Sequence, residues 1–465
     1  MNILHISAEC FPIAKIGGLA DVVGALPKYQ KELQTNCSVI MPFYNNSFTQ
    51  TNKFDKVYEN YIALGHNYFN FQVLKLKDNK LGFDVFCIHV PDLLYRDYVY
   101  SSNDTERFLA FQIATLDWIL TFGKKPDVIH VHDHHTGLIP FMITQCYKYE
   151  TLKNIATVLT IHNAQYQGWF SHDKVSLIPP FNFDNVGLLD WGGNINSLAA
   201  AIKCSWKVTT VSPSYMEELK QNANGLESLL SYESHKCIGI LNGIDSDVWN
   251  PQTDENLIKN FSSTSVISGK KANKKWLCKQ FNLDENKPLF TFIGRLVGEK
   301  GSDLFPEIFS KALRENNISI LLLGSGDKGT EQRLSYISKE NFNSYIGYNE
   351  KLAHIMYAGA DFLLMPSRVE PCGLNQMYSL KYGTVPVVNA IGGLKDTIVD
   401  IDNNGYGVLH YGVTIEKVSN AITKATKFYI EKEKFSKNLK TIMEIDNSWG
   451  NSAKEYVNLY KSLKN

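Results

Sequence analysis

Short apolar runs rich in β-branched residues recur along the chain, and their rhythm sets its plan. They read NILHIS (2–7), CSVIMPF (37–43), FDVFCIHV (83–90), DVIHVHD (127–133), ATVLTIHN (156–163) and KVTTVS (207–212). After Asn250 they resume as PLFTFIGR (288–295), ISILLLGSG (318–326), NSYIG (343–347), DFLLMPS (361–367) and TVPVVNA (384–390). Continuous apolar strands separated by helical segments predict parallel sheets covered on both faces, hence two doubly wound α/β halves. Residues 294–316 illustrate the crossover, with Leu304, Ile308 and Leu313 expected on the buried side of one amphipathic helix. The stretch LNGIDSDVWNPQTDENL (241–257) breaks the rhythm with Gly, Asn, Asp and Pro, which places a domain boundary near residues 242–252. The expected division is 1–241, 242–445 and a terminal segment from 446 to 465.

The length agrees: 465 residues exceed one ordinary core and suit two domains of roughly 200 residues each. Composition adds exclusions. The 47 basic residues balance 47 acidic ones, so nothing invites a polyanion such as nucleic acid. The eight cysteines show no CxxC pair and no metal-like spacing, which predicts reduced, mostly buried thiols. The beginning MNILHISAECFP has no basic lead followed by a long apolar run, and no window approaches a membrane span, so the expectation is a soluble protein of a bacterial cytoplasm with no membrane partner. Oligomeric state stays open.

In open parallel sheets ligands bind beyond the carboxyl ends of the strands, so polar residues just after strands carry the candidate chemistry. Gly-Gly-Leu-x-Asp occurs twice, in IGGLADVV (16–23) and IGGLKDTIV (391–399), each time where a helix is about to begin. Paired glycines allow close backbone approach and helix N-termini attract anions, so the two turns suggest two halves serving one anionic substrate; a plain tight turn is the simpler alternative. Lys15 beside Gly17 and Gly18 reads either as an anion contact or as a solvated loop charge. The histidines of HVHDHHTG (130–137) resemble a metal site, yet zinc ligands come with defined spacing and further partners, and no metal is expected. Arg295 and Lys300 flank a strand-to-helix turn and read either as an ordinary surface pair or as two cations that can hold a diphosphate, each contributing roughly 4 kcal/mol at 4 Å and an effective dielectric near 20 before desolvation. Glu370 sits between a strand and the turn PCGL, where the cost of an unpaired buried carboxylate favours a functional carboxylate pointing into the cleft over an accidental one. GSGDKG (324–329) matches a dinucleotide pattern after a strand, but no acidic residue ends a following strand about 20 positions on, which weakens a nicotinamide reading. There is no nucleotide-triphosphate phosphate loop and no serine nucleophile elbow.

Taken together, KIGGLADVVGALP, HVHDHHTG, TIHNAQYQG, GILNGID with WNPQTD, GRLVGEKG, IGYNEKLAHIMYAGAD, PSRVEPCGLNQMYSLKYGTVPVV and GGLKDT resemble the bacterial glycogen synthase and plant starch synthase family, in order from residue 1 to about 460. The resemblance implies the GT-B arrangement, two Rossmann-like domains facing a deep cleft, with SWGNSAKEYVNLYKSL (448–463) as a C-terminal helix crossing back to the first domain. It implies glucose transfer from ADP-glucose to the nonreducing 4-hydroxyl of an α-1,4-glucan, with retention and without a cofactor or metal; same-face attack is the expected route, a covalent intermediate the alternative.

The resemblance also implies roles. Lys15 with Gly17 and Gly18 would meet the donor diphosphate and sugar, Asp133 and His162 would line the glucose site, and Asn242 would contact sugar hydroxyls. Arg295 and Lys300 would neutralise the leaving diphosphate, Tyr348 would stack on the base, and Glu370 would bind glucose hydroxyls. Cys372, Gly373, Leu374 and Asn375 would hold phosphate through the backbone around Leu374. The chain departs from the family pattern at His134 for Trp, at Ala199 for the Lys of NFLKGG, at Asn375 for Thr and at Asn389 for Arg. Those departures leave open UDP-glucose or another acceptor, and a catalytically silent glucan-binding homologue is the alternative from a different class.

Overall fold

The computed structural model describes residues 1–337 and 340–463. The chain divides into two compact units, one made of residues 1–242 together with the C-terminal helix from Trp449, the other of Gly243–Ser448. No helix among the described residues is long and apolar enough to cross a membrane.

In the first unit, β1 (Asn2–Ile6), β2 (Asn36–Pro42), β3 (Phe54–Leu64), β4 (Asn67–Leu76), β5 (Asp84–His89), β6 (Val128–His132) and β7 (Ala156–Ile161) precede a small three-stranded sheet of β8 (Trp169–Phe170), β9 (Asp190–Trp191) and β10 (Asn194–Asn196). Then β11 (Lys207–Thr210) and β12 (Cys237–Gly239) complete the main sheet in the order β12-β11-β7-β6-β1-β2-β5-β4-β3. Seven of these strands are parallel, and every residue of β6 and β7 is buried, as double coverage requires. The sheet is not purely parallel. β3 and β4 form an antiparallel hairpin on its edge, turned at Gly65, whose φ of 62° suits glycine. β3 reads FDKVYENYIAL with mostly exposed positions, so it lacks the apolar run by which the other strands announce themselves.

The helix Trp449–Ser462 belongs to this unit. Its buried face, Trp449, Ala453, Tyr456 and Tyr460, repeats at helical spacing and packs with Ile3, Val22, Leu26, Val128 and Val158 against the sheet. Burying two tyrosines and a tryptophan there contributes several kcal/mol of hydrophobic stabilisation, at about 25 cal/mol per Å² of apolar area.

The second unit holds one parallel sheet of β13 (Leu289–Ile293), β14 (Ser319–Gly324), β15 (Phe342–Ile346), β16 (Phe362–Met365), β17 (Val385–Asn389) and β18 (Val408–His410), in the order β15-β14-β13-β16-β17-β18. Strand order reverses between β13 and β16 here and between β1 and β6 in the first unit, and such switch points open crevices at strand ends. The crossover after β13 begins later than its sequence suggests. Two short 3₁₀ turns cover 298–304, the α-helix runs Phe305–Glu315, and its buried stripe is Phe305, Ile308, Phe309 and Ala312, with Leu304 and Leu313 half-buried.

The two Gly-Gly turns differ physically. Gly17 and Gly18 are exposed, and a methyl group at either would meet nothing within 4 Å. At Gly392, whose φ is 41°, a Cβ would lie 2.1 Å from the Glu370 carbonyl oxygen, and at Gly393 2.1 Å from that of Cys372. The second pair is therefore a packing device: it seats the loop carrying Glu370 on the helix Gly392–Thr397, and the Gly393 amide donates to the Glu370 carbonyl at 3.2 Å. Thermal unfolding of Gly392→Ala is expected to show a loss of about 2 kcal/mol or more, from the forbidden backbone region and the clash together. Gly17→Ala is expected to stay within about 0.5 kcal/mol of the parent.

Candidate functional site

In the first unit the candidate residues gather after β1, β6 and β7. Asp133 follows β6 in a conformation with φ 56°, unusual for a residue other than glycine, and is buried. Its Oδ1 accepts the backbone amide of His162 at 2.7 Å and that of Asn163 at 3.5 Å, so the ends of β6 and β7 are tied through this carboxylate. Burial pushes the Asp133 carboxyl up to about 7, against the pull of those two amides. His162, also buried, is held down at about 3 by desolvation. Its Nε2 lies 3.0 Å from His132 Nδ1, and its Nδ1 has no hydrogen-bond partner among the described residues.

The loop after β1 has its own anion. Glu9 accepts the Ile16 amide at 2.5 Å and the Gly17 amide at 3.1 Å through Oε2, while the Tyr100 hydroxyl donates to Oε1. Two of the amides expected to attract a substrate anion are thus already engaged by a side-chain carboxylate, which burial raises above its ordinary range. Glu9 is absent from the sequence-based candidates, although it stands just past a strand end, where polar residues were sought. Lys15 pairs with Asp21 at 2.7 Å and keeps 41% of its side chain exposed. Asn242 is buried, with an Oδ1 that has no partner among the described residues.

The departures from the family pattern fit locally. His134 packs its ring 3.7 Å from that of His135, centroid to centroid, and lies against Gly168, where a Cβ would come within 2.7 Å of it. Ala199 is fully buried in the helix Ser197–Cys204, its amide capped by Asn196 at 2.9 Å. His5, His130 and His132 bring ring nitrogens within 4.8 Å of one another, but all six of their nitrogens already have hydrogen-bond partners, so an ion would have to displace that network.

In the second unit the loops after β13 and β16 meet. Lys300 Nζ lies 2.6 Å from Glu370 Oε2, to which the Ser367 hydroxyl also donates at 2.8 Å. Gly301, at φ 73°, lets this turn press on the β16 loop, since a Cβ there would sit 2.5 Å from the Pro366 carbonyl. Arg368 and Val369 amides donate to the Glu299 carbonyl, and Arg368 grips Asp303 with Nη1 and Nη2, at 2.6 and 2.9 Å. Lys300 is therefore paired with a carboxylate, whereas the sequence presents it as a cation awaiting phosphate. Arg295 is 66% exposed, with Glu299 at 3.8 Å. Cys372 is buried, Gly373 turns with φ 73°, Leu374 caps the helix Asn375–Lys381, and Asn375 donates through Nδ2 to the Ile293 carbonyl at 2.8 Å. Tyr348 is 78% exposed, its hydroxyl donating to Glu350 Oε2 at 3.1 Å. Asn389 bridges the Ser367 carbonyl and the Gly412 amide, each at 2.8 Å.

Because the Asp133 carboxyl titrates higher when folded than the ordinary 3.8, the folded protein binds the extra proton between those values, and stability contributed by this group falls as pH rises through that window. Asp133→Asn keeps an acceptor for the two amides without the charge. Its unfolding free energy relative to the parent, measured by denaturant titration, is expected to rise progressively from about pH 4 to about pH 7, with a slope of at most about 1.4 kcal/mol per pH unit.

The sequence matches the starch synthase catalytic domain over residues 2–232 and glycosyl transferases group 1 over residues 273–441. It is 50% identical over 469 residues to a glycogen synthase of Flavobacterium johnsoniae, covering 100% of this chain and 99% of that one, and 37% identical over 486 residues to a glycogen synthase of Alkaliphilus metalliredigens, covering 100% of both. The catalytic domain of starch synthase IV from Arabidopsis thaliana, solved with ADP and acarbose, superposes with a TM-score of 0.91 at 31% identity, covering 100% of this chain and 99% of that one. A sucrose-phosphate synthase from Thermosynechococcus elongatus shares the fold, at a TM-score of 0.63 and 15% identity over 100% of this chain and 99% of that one. The fold is the GT-B type expected, and the chain belongs to the bacterial glycogen synthase and plant starch synthase family of glycosyltransferases.

Proposed function

We propose that the enzyme moves glucose from ADP-glucose to the nonreducing 4-hydroxyl of an α-1,4-glucan, with retention and without a metal ion. The observation that carries this reading is the Lys300–Glu370–Ser367 cluster at the β13/β16 switch point, in a chain that resembles a starch synthase solved with ADP and acarbose. Breaking the sugar–phosphate bond leaves positive charge on the ring and negative charge on the departing diphosphate, so preorganised cations favour the transition state. Lys300 and the exposed Arg295 supply that charge, which removes the need for a divalent ion. Glu370 then takes glucose hydroxyls, with the Ser367 hydroxyl holding its carboxylate in place. Backbone groups from Cys372 to Asn375 bind phosphate, and Tyr348, whose ring is exposed, stacks on the base. In the other unit Asp133, His162 and Asn242 contact the sugar, and Lys15 with Gly17 and Gly18 contributes to diphosphate binding. Attack on the face from which the diphosphate leaves accounts for retention without a covalent intermediate.

Incubation with ADP-glucose and glycogen is expected to release ADP and lengthen chains, at a rate unchanged by EDTA. UDP-glucose assayed alongside is expected to be the poorer donor; equal or better turnover with it overturns the donor assignment. Lys300→Ala and Glu370→Ala are each expected to lower kcat by about 100-fold or more, the loss typical of a removed transition-state contact. Normal turnover in both variants would remove these residues from the mechanism.

A further inference from the structure

A buried column of hydrogen bonds crosses the first unit's sheet and ends at His162. His5, His130, His132, Thr160 and Thr209 lie on one face, because they alternate along β1, β6, β7 and β11 and stand in register across them: His5 opposite His130, and Thr160 opposite both His132 and Thr209. Gln30 from the helix Gly18–Glu32 and Tyr460 from the helix Trp449–Ser462 cover that face, and all seven are buried. In sequence the links are Leu159 carbonyl to Thr209 Oγ1 (3.2 Å), Thr209 Oγ1 to Thr160 Oγ1 (2.6 Å), Thr160 Oγ1 to His130 Nε2 (2.6 Å), His130 Nδ1 to Tyr460 hydroxyl (2.7 Å) and Tyr460 hydroxyl to Gln30 Nε2 (3.2 Å). From there Gln30 Oε1 meets His5 Nε2 (2.8 Å), His5 Nδ1 meets His132 Nε2 (3.1 Å), and His132 Nδ1 meets His162 Nε2 (3.0 Å).

A carbonyl can only accept, so the polarity of the column follows from its Leu159 end. Thr209 gives its one proton to Leu159 and must accept from Thr160. Thr160 then accepts from His130 Nε2–H. Burial keeps all four histidines neutral, lowering His5 to about 4 and His162 to about 3 and holding His130 and His132 well below 6.5, so each ring carries one proton. His130 Nδ1 is consequently an acceptor and takes the Tyr460 proton, which leaves the Tyr460 oxygen to accept from the Gln30 amide NH₂. That orients Gln30 Oε1 toward His5, and the Cys37 thiol, 3.3 Å from the same oxygen, donates to it as well. His5 and His132 in turn must each carry the proton on Nε2. Reversing every link would take the Thr209 proton from Leu159 and lose that bond.

We infer that this column, anchored at the Leu159 carbonyl and passing through Tyr460 and Gln30, locks His162 in its Nε2–H tautomer and leaves Nδ1 as a bare acceptor. Tyr460, Gln30, His5 and His132 are positioning residues for His162. Resting on the proposed placement of glucose at His162, the inference gives the ring a defined polarity: Nδ1 accepts a hydrogen bond from a sugar hydroxyl and cannot donate one to it.

The test is the nitrogen spectrum of protein labelled with ¹⁵N-histidine, recorded without substrate by long-range ¹H–¹⁵N correlation, with His162 assigned by its disappearance in His162→Gln. His5, His132 and His162 are each expected as a single Nε2–H tautomer. Tyr460→Phe removes one hydroxyl and frees Gln30 to rotate, so the signals of these three rings are expected to move together toward the Nδ1–H form; a loss of packing alone would lower the melting temperature without moving them. An Nδ1–H His162 in the parent protein overturns the inference, as does a folded Tyr460→Phe with an unchanged His162 signal. Should Tyr460→Phe fail to fold, the parent spectrum decides by itself. The expected tautomers without transfer from ADP-glucose would defeat the proposed function alone, and transfer with the opposite tautomer would defeat the column alone.

Discussion

A polar group removed from water must find a partner inside the protein, and much of this structure follows from that requirement. The first unit places three histidines and two threonines on the covered face of the parallel part of its sheet, where each unpaired donor or acceptor would cost about 1–3 kcal/mol. The sheet alone cannot satisfy them. Gln30 and Tyr460 arrive from two helices to close the series, so the C-terminal helix is held by polar linkage as well as by the apolar contacts of Trp449 and Tyr456. A chain end distant in sequence thereby becomes part of the same hydrogen-bonded body as the strand-end residues.

The second unit meets the same requirement with charges. Asp361 accepts from Lys274 at 2.7 Å and from the Leu289 amide at 2.8 Å, while Lys274 also donates to the Lys287 carbonyl. Lys270 is buried with no carboxylate partner among the described residues and donates instead to the carbonyls of Tyr357, Ala358 and Tyr382 and to the Thr384 hydroxyl; burial pulls it down to about 7. Asp254 joins His354 and Tyr382 at 2.6 Å each, with Trp249 stacked 4.1 Å above His354. Breaking such pairs one-sidedly costs more than the pair contributes, because the remaining group is left desolvated.

The sequence displayed the parallel strands well, because a strand covered on both faces is buried along its whole length and so is rich in apolar residues, as β6, β7, β14 and β16 are. It hid β3, whose edge position allows Lys56, Glu59 and Asn60 to face solvent and so erases the pattern. The strand-end rule led to Arg295, Lys300 and Glu370, whereas Asp133 and His162 were singled out by the family resemblance within motifs that also follow strands. Pairing was not legible. Nothing in the order of residues says that Glu9 takes the amides of the first Gly-Gly turn, that the second turn seats the Glu370 loop, or that Lys300 and Glu370, 70 residues apart, share a hydrogen bond. The histidine run suggested a metal question because adjacency in sequence was visible; its period of two, which puts His130 and His132 on the sheet's face with His5, acquires meaning only when β1 is known to lie beside β6.

Lys300 and Glu370 are unequal partners in that bond. Glu370 keeps only 8% of its side chain exposed, whereas Lys300 keeps 23% and stands on a turn of glycines. Without Lys300 the carboxylate would stay near-buried, with the Ser367 hydroxyl as its remaining side-chain donor among the described residues; without Glu370 the ammonium can still reach water. The cost of separating the pair therefore falls on the carboxylate. A ligand able to part them must offer Glu370 new hydrogen-bond donors while presenting Lys300 with an anion of its own, and hydroxyl groups joined to a phosphate meet both conditions in one molecule. That demand comes from the desolvation of one carboxylate and would hold whatever the base or the acceptor.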